Sequence, residues 1–132
     1  YLQQGDPYHC FCQKSGRLIA EALNARGFEA LDVKITFQSR FGPEKWLEPY
    51  TDITLEQLPE QGKRSVAVFS PGFVSDCVET LEELGIQGKE SFMAAGGEHY
   101  TTLPCLNDSP AAVDMLEALV RRELSGWCIT AP

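Results

Sequence analysis

An uncharged segment, residues 65–69, constrains the fold more strongly than any other part of the sequence. It reads Ser-Val-Ala-Val-Phe, and an apolar run without charge or alternation is typical of a strand in a sheet that is covered on both faces. Residues 8–26 before it, and a segment beginning near Ser75 or Asp76 after it, have the apolar spacing of helices. Strands that are separated by helices connect in parallel. We therefore predict an α/β fold with a parallel sheet and helices on both of its faces.

Four further elements complete the predicted alternation. They are strands at 33–37 and 101–103, a short helix at 54–61 and a last helix after 108–109. Either Asp108 or Ser109 can cap the last helix, and Pro110 then lies in its first turn. The whole chain, residues 1–132, is thus predicted to form a single α/β lobe.

The charge balance excludes two classes of partner. The chain has 132 residues, with 11 basic and 19 acidic side chains and a formal net charge of −8. A field of that sign repels phosphate backbones and anionic membrane surfaces, so we expect no nucleic-acid partner. No apolar run approaches the roughly 18 residues of a membrane span, so we expect no integral membrane segment. The first residue is Tyr1 rather than Met, and we expect the chain to be a piece of a longer protein.

The cysteines favour a reducing compartment. They are too few and too scattered for a disulfide framework, and their odd number leaves one unpaired. We therefore expect free thiols and a cytoplasmic protein. The close pair at positions 10 and 12 lacks the CxxC spacing of a zinc site, and no Cys or His follows it at ligand spacing. The cysteines are Cys10, Cys12, Cys77, Cys105 and Cys128.

Three acidic residues follow the uncharged strand on one face of a predicted helix. At about 100° per residue, Asp76, Glu79 and Glu83 lie within about 60° of one another. Carboxylates grouped in this way can bind a hard or borderline cation. They also raise one another's pKa, which suits a proton acceptor. An amphipathic helix with its acids directed to solvent has the same pattern, so the spacing alone leaves both interpretations open.

Two loops at the carboxyl ends of predicted strands, 38–46 and 70–76, are candidates for ligand binding, because parallel sheets bind ligands at that edge. In the first loop, Ser39 and Arg40 offer polar and cationic groups, and Arg40 can hold a carboxylate. Trp46 can lie against a flat apolar ligand. Both side chains also have a structural interpretation. Arg40 can pair with a nearby acid, and Trp46 can belong to the core.

Three blocks of the sequence resemble the signature blocks of the ferrochelatases. They are Phe37–Pro43 with Trp46, Leu47 and Pro49–Asp52; Pro71–Glu83; and Leu106–Pro110. The opening residues 1–8 are similar to the stretch that follows the catalytic histidine motif of that family. The blocks occur in the family's order and spacing, and the similarity extends from Tyr1 to about Arg122.

The resemblance implies a fold and an activity. Ferrochelatases insert ferrous iron into protoporphyrin IX to form protoheme, the last step of heme biosynthesis. They have two similar α/β lobes, and the porphyrin lies in the cleft between them. This chain resembles the carboxyl-terminal lobe, so its expected partners are the porphyrin, ferrous iron and the amino-terminal lobe of the same enzyme. The family's histidine motif should end just upstream of Tyr1, so the isolated fragment is expected to be inactive.

The resemblance also implies roles for residues on the acidic helix. Glu79 matches the active-site glutamate, which accepts pyrrole protons or binds iron. Asp76 and Glu83 match positions that line a polar path to that glutamate, and all three are candidate metal ligands. Cys77 stands where many members of the family have a histidine, and Gln87 lacks the charge that some members have one turn further along.

For the substrate, the resemblance implies a binding block around Trp46, which matches a tryptophan near the bound porphyrin, together with Ser39 and Arg40. No cofactor is required, since Fe²⁺ is the substrate metal. Some ferrochelatases hold a [2Fe–2S] cluster with four cysteines, but this chain does not show that arrangement, so we expect no cluster. The expected location is the cytoplasm, with peripheral contact to the inner membrane as a further possibility.

Two alternatives come from other functional classes. One is a small chelatase that completes its cleft by homodimerising and acts on another tetrapyrrole, a precorrin or sirohydrochlorin. Such proteins carry their own histidines near a strand end, and neither His9 nor His99 is predicted there. The other is a non-enzymatic lobe that binds heme or metal, which would keep Arg40 and Trp46 but would not need Glu79.

Overall fold

The chain divides into two units, residues 1–57 and 58–132. A computed structural model describes residues 4–39, 42–43 and 45–127. The grouping of the whole chain into a single lobe stays a prediction.

The first unit is mainly helical. Helix α1 spans Tyr8–Asn24, as its apolar spacing predicted, and helix α2 spans Thr51–Gln57. Gly27 follows α1 with a φ of +89°, the left-handed conformation that commonly ends a helix. Helix α2 lies earlier in the chain than the predicted 54–61, because Pro59 disfavours helical backbone at the residue before it.

The prediction of a strand at 33–37 is wrong. Within the described part of this segment only Phe37 pairs, through an isolated parallel bridge to Tyr50. The N–H of Phe37 donates to the carbonyl oxygen of Pro49 at 2.9 Å, and the N–H of Thr51 donates to the carbonyl oxygen of Phe37 at 2.9 Å. The ladder does not extend, because Pro49 has no N–H to donate and helix α2 begins at Thr51.

The second unit contains the parallel sheet. Strand β1, Ser65–Val68, pairs with strand β2, His99–Thr102, so that Ser65 lies opposite His99 and Val68 lies opposite Thr102. Over the described residues the sheet has these two strands. The predicted α/β fold with a parallel sheet is therefore confirmed, although with fewer strands than the sequence predicted. The residues of β1 alternate between exposed and half-buried, so the expectation that this strand is covered on both faces is wrong for this chain.

The helix that follows β1 is a π-helix, Glu79–Gly88. The sequence predicted an α-helix from Ser75 or Asp76, and this prediction is wrong in both its start and its type. Each N–H of a π-helix bonds to the carbonyl five residues earlier, so each turn contains more residues than a turn of α-helix. Because the helix starts at Glu79, both Glu79 and Glu83 belong to it, whereas Asp76 precedes it.

The core of the second unit lies between the π-helix, β2 and helix α3, which spans Lys89–Ala94. Phe92 is fully buried and its ring centroid lies 5.7 Å from that of Tyr100. Gly97 approaches so closely that a Cβ there would collide with the Phe92 ring. The hydroxyl of Tyr100 donates to the carbonyl oxygen of Leu84 at 2.8 Å, and burial raises the pKa of Tyr100 to about 12. These contacts pack the π-helix against β2.

Helix α4 spans Pro110–Glu123 and starts as predicted. Ser109 is its N-cap, since its hydroxyl accepts the N–H of Ala112 at 3.3 Å, and Pro110 occupies the first turn. Ala112 is buried. Among the described residues, none of the helices has both the length and the apolar content that crossing a membrane requires.

Candidate functional site

The loops after β1 and β2 leave the sheet at the same edge, because the two strands are parallel. Loop 69–78 leads from β1 to the π-helix, and loop 103–109 leads from β2 to α4. The N–H of Asn107 in the second loop donates to the carbonyl oxygen of Val74 in the first at 2.9 Å. The ligand loop predicted at 70–76 therefore has a second wall that was not predicted from the sequence.

Asp76 lies at the centre of the contacts between these loops. Its backbone N–H donates to Oδ1 of Asn107 at 2.9 Å, and Nδ2 of Asn107 donates to its Oδ2 at 2.7 Å. Its Oδ1 accepts the Thr80 hydroxyl at 2.9 Å and the Cys105 N–H at 3.2 Å. The bond from Asn107, followed by those from Cys105 and Thr80, lowers the pKa of Asp76 to about 2. The carboxylate is therefore ionised at neutral pH, and both of its oxygens are occupied by donors.

Thr80 extends this network into the first turn of the π-helix, where it is buried. Its Oγ1 accepts the backbone N–H of Cys77 at 3.0 Å while it donates to Asp76. The N–H groups of Asp76 and Cys77 are thus satisfied by the side chains of Asn107 and Thr80, without a preceding turn of helix. This explains why the helix begins later than its apolar spacing predicts.

Glu79, the first residue of the π-helix, carries the carboxylate that the sequence singled out. Its side chain is half-buried. A hydrogen bond from the Cys77 thiol, followed by one from the backbone N–H of Glu79, lowers the pKa of its carboxyl. Both bonds favour the charged form. The expectation that these carboxylates raise one another's pKa is therefore wrong for Glu79 and for Asp76. An ionised carboxylate with partial access to solvent can accept a proton or contact a cation.

Glu83 lies one π-turn after Glu79 and is also half-buried. Side chains at this spacing lie near one face of a π-helix. In the part of the chain that the structure describes, no three His, Cys, Asp or Glu side chains are arranged to hold a metal ion. Asp76, Glu79 and Glu83 are therefore not gathered into one three-ligand centre.

An apolar pocket of about 180 Å³ lies between the two loops. It is lined by Phe69, Ser70, Pro71, Phe73 and Val74 from one loop and by Pro104, Cys105 and Leu106 from the other. Pockets that enclose a whole organic ligand usually have about 300–1,000 Å³. This one can therefore accept only part of an apolar ligand.

The predicted ligand loop of the first unit, 38–46, is described in part. The indole N–H of Trp46 donates to the carbonyl oxygen of Gln38 at 3.1 Å, and the residue is 40% exposed. Trp46 thus lies outside the buried core, although its indole N–H binds the backbone of Gln38, and its contact with a ligand stays a prediction. Ser39 has a φ of +59°, and its hydroxyl accepts Nε2 of Gln38 at 3.4 Å. Arg40 lies outside the described residues.

The two histidines belong to different units of the chain. His9 belongs to α1, and its ring stacks on Phe37 with the centroids 5.7 Å apart. His99 is the first residue of β2, at the amino end of the strand. His99 therefore lies at a strand end, which the sequence did not predict, but at the amino end rather than at the carboxyl edge where the two loops meet.

Three residues of the network, Asn107, Thr80 and Cys105, were not predicted from the sequence. Asn107 was placed in the turn before α4, and its contact with Asp76 joins positions 31 residues apart. No local spacing relates residues at that separation. A local signal does exist for the turn itself, because Asn tolerates the left-handed conformation, and Asn107 has a φ of +49°.

The lowered pKa of Asp76 predicts a loss of stability in acid. Because the pKa falls from 3.8 to about 2 on folding, the ionised carboxylate contributes stability above pH 3.8 that is lost as the pH falls toward about 2. The midpoint of urea unfolding should decrease over this interval. The decrease should be smaller in Asn107→Gly, which lacks the largest cause of the lowered pKa, and unchanged in Asp108→Asn, which alters the adjacent exposed acid. An equal decrease in Asn107→Gly and wild type would contradict this assignment.

Known proteins similar to this chain share one description. A family model described as Ferrochelatase matches residues 1–124. The ferrochelatases of Rhizobium etli and Rhizobium meliloti are 55% and 54% identical to it over 127 residues, which is 96% of this chain. The ferrochelatase of Pseudoalteromonas atlantica is 50% identical over the same length. The chain covers 36%, 37% and 34% of these relatives, respectively, and so spans about a third of their length. With a family model matched along nearly all of it, the chain belongs to the ferrochelatase family.

Proposed function

We propose that this chain is the carboxyl-terminal part of an enzyme that inserts ferrous iron into protoporphyrin IX and releases protoheme. The observation that carries the proposal is the placement of Glu79. The chain is 55% identical to a ferrochelatase. Glu79 is the first residue after loop 69–78, and the first part of that loop lines an apolar pocket. A loop that contributes to an apolar pocket and leads into a carboxylate suits a reaction that joins a cation to a hydrophobic macrocycle.

Glu79 is the catalytic group of this proposal. Metal insertion releases two pyrrole protons and removes water from the cation, and a carboxylate can accept a proton or contact the metal. The lowered pKa of Glu79 keeps it ionised before the reaction.

The other two carboxylates differ in how available they are. Glu83 is half-buried one turn from Glu79, and we propose that it passes protons or metal along the helix. The two oxygens of Asp76 accept three hydrogen bonds. A cation at Asp76 would have to displace a donor, so metal contact there is the weakest part of the predicted ligand set.

Substrate binding is proposed for Trp46, Ser39 and Arg40. The exposed indole of Trp46 has the flat apolar surface that a porphyrin ring can contact. Arg40 and Ser39 would meet the carboxylates of the macrocycle. The 180 Å³ pocket accommodates only an edge of such a ligand. The remaining contacts, and the catalytic histidine that the resemblance implies, are assigned to an amino-terminal lobe within the additional length of the relatives.

The proposal includes no cofactor besides the iron that is consumed, no [2Fe–2S] cluster and a cytoplasmic location with peripheral access to the inner membrane. An isolated chain of 132 residues would lack the amino-terminal lobe. We therefore expect it to be inactive by itself.

The test is metal insertion by the full-length gene product that contains this chain. Zn²⁺ replaces Fe²⁺ as a convenient metal, and absorbance follows its insertion into protoporphyrin IX and, in parallel, into sirohydrochlorin. We expect the full-length protein to insert zinc into protoporphyrin IX but not into sirohydrochlorin. We expect the isolated chain to insert zinc into neither. Turnover of sirohydrochlorin by the isolated chain would establish the homodimeric alternative. Binding of heme without insertion of metal into either tetrapyrrole would establish the non-enzymatic alternative.

A further inference from the structure

We propose that Asn107 is a positioning residue for Glu79, acting through its paired hydrogen bonds with Asp76. The inference rests on the proposed function, because Glu79 is the group being positioned. Asn107 belongs to the loop before α4 and is not one of the residues that line the pocket. Its side chain bonds to Asp76, which precedes the π-helix. Its effect on the reaction would therefore be indirect.

Asn107 is held to the opposite loop at three points. Its Oδ1 accepts the backbone N–H of Asp76 at 2.9 Å, and its Nδ2 donates to Oδ2 of Asp76 at 2.7 Å. Its own N–H donates to the carbonyl oxygen of Val74 at 2.9 Å. One side chain thus satisfies both the main chain and the carboxylate of a single partner, which fixes the position and the orientation of Asp76.

The orientation of Asp76 is transmitted to the turn that carries Glu79. Oδ1 of Asp76 accepts the hydroxyl of Thr80, and that hydroxyl oxygen accepts the N–H of Cys77. Glu79 lies between these two residues in the sequence, so the turn that carries it is held by the same hydrogen bonds. A displacement of Asp76 would therefore displace the groups on both sides of Glu79.

Displacements of this kind are costly in catalysis. Groups that orient a reacting residue through hydrogen bonds typically change activity by about 10- to 100-fold when they are removed. They do so mainly through kcat, since the contacts that bind substrate are retained. An effect on kcat without an effect on KM therefore distinguishes a positioning role of Asn107 from a role in stabilising the fold alone.

A charge-conserving exchange tests the proposal in the full-length enzyme. In Asn107→Asp, a carboxylate replaces the donor that faces Oδ2 of Asp76, and the two acids repel each other. In the double variant Asp76→Asn with Asn107→Asp, donor and acceptor are reversed and the net charge equals that of wild type. The amide at position 76 then donates to the carboxylate at position 107, and its oxygen still accepts from Thr80 and Cys105.

We expect Asn107→Asp to lower kcat for zinc insertion by about 10- to 100-fold with little change in KM for protoporphyrin. The double variant restores the paired hydrogen bonds but also replaces Asp76, the weakest of the predicted metal contacts, so it should recover part of the lost kcat. Asn107→Gly tolerates the φ of +49° at this position and should also lower kcat, because it removes both side-chain hydrogen bonds. Asp108→Ala, a change at the adjacent exposed residue, should retain wild-type kcat.

Hydrogen exchange gives a readout that does not depend on activity. The amides of residues 74–84 should exchange faster in Asn107→Gly, at the wild-type rate in Asp108→Ala, and close to the wild-type rate in the double variant. If the double variant is as impaired as Asn107→Asp, the charge of Asp76 acts by itself and the positioning role is overturned. If Asn107→Gly leaves both kcat and exchange unchanged, it is overturned as well. Failure of the wild-type enzyme to insert metal would refute the proposed function, and hydrogen exchange alone would then decide whether Asn107 orders this turn.

Discussion

Replacement of Glu79 by glutamine is expected to lower metal insertion into protoporphyrin IX by about 100- to 10,000-fold, the contribution of a general acid–base group. Glutamine preserves the size of the side chain, but it cannot accept a pyrrole proton at neutral pH and carries no charge for a cation. The hydrogen bonds that lower the pKa of Glu79 come from the Cys77 thiol and from its own backbone. The attachment of the π-helix to β2 through Tyr100 and Leu84 does not involve Glu79, so the variant should remain folded.

The matched control is Glu82→Gln, which removes an exposed carboxylate from the same helix. Zinc insertion by both variants is compared in the full-length enzyme, and circular dichroism establishes that each is folded. We expect wild-type activity in Glu82→Gln and an intermediate loss in Glu83→Gln. Equal losses in Glu79→Gln and Glu82→Gln would mean that only the summed charge of the helix matters. Full activity in Glu79→Gln would make this residue a surface acid of an amphipathic helix.

The largest expected effect on stability comes from Phe92→Ala, which should lower the free energy of unfolding by about 3 to 5 kcal/mol. Phe92 is 0% exposed, and its ring fills the space between Tyr100 and the close approach of Gly97. Alanine would leave a cavity there, since the rigid pairing of β2 with β1 limits how far the neighbours can move. Urea unfolding followed by circular dichroism measures the change.

Met93→Ala is the control for this prediction. The side chain is adjacent on α3 but exposed, and surface changes of this kind alter stability by about 0.5 kcal/mol or less. A loss in Phe92→Ala no larger than that in Met93→Ala would mean that the space around Tyr100 and Gly97 is not the core of the second unit.

Elements that depend on neighbouring residues are recovered well from the sequence. Helix α1 follows from its apolar spacing, and α4 follows from the cap at Ser109 with Pro110 in the first turn. Strand β1 follows from an uncharged apolar run. The residues of 33–37 have strand propensity as well, yet Phe37 alone pairs in the described part of that segment. Propensity cannot supply a partner strand, and Pro49 interrupts the one that is available.

The acidic helix also has some features that the sequence predicts and others that only the tertiary structure shows. Its position after β1 and its candidate catalytic residue, Glu79, are evident from the sequence and from the ferrochelatase blocks, because both depend on residues close together in the chain. Its π form, its late start and the occupied oxygens of Asp76 are not evident. The late start and the occupied oxygens depend on Asn107, which lies 31 positions away and reaches Asp76 only because two parallel strands direct their following loops to one edge of the sheet. Hydrogen bonds between residues so distant in sequence follow from the meeting of those loops, and no local pattern of side chains encodes them.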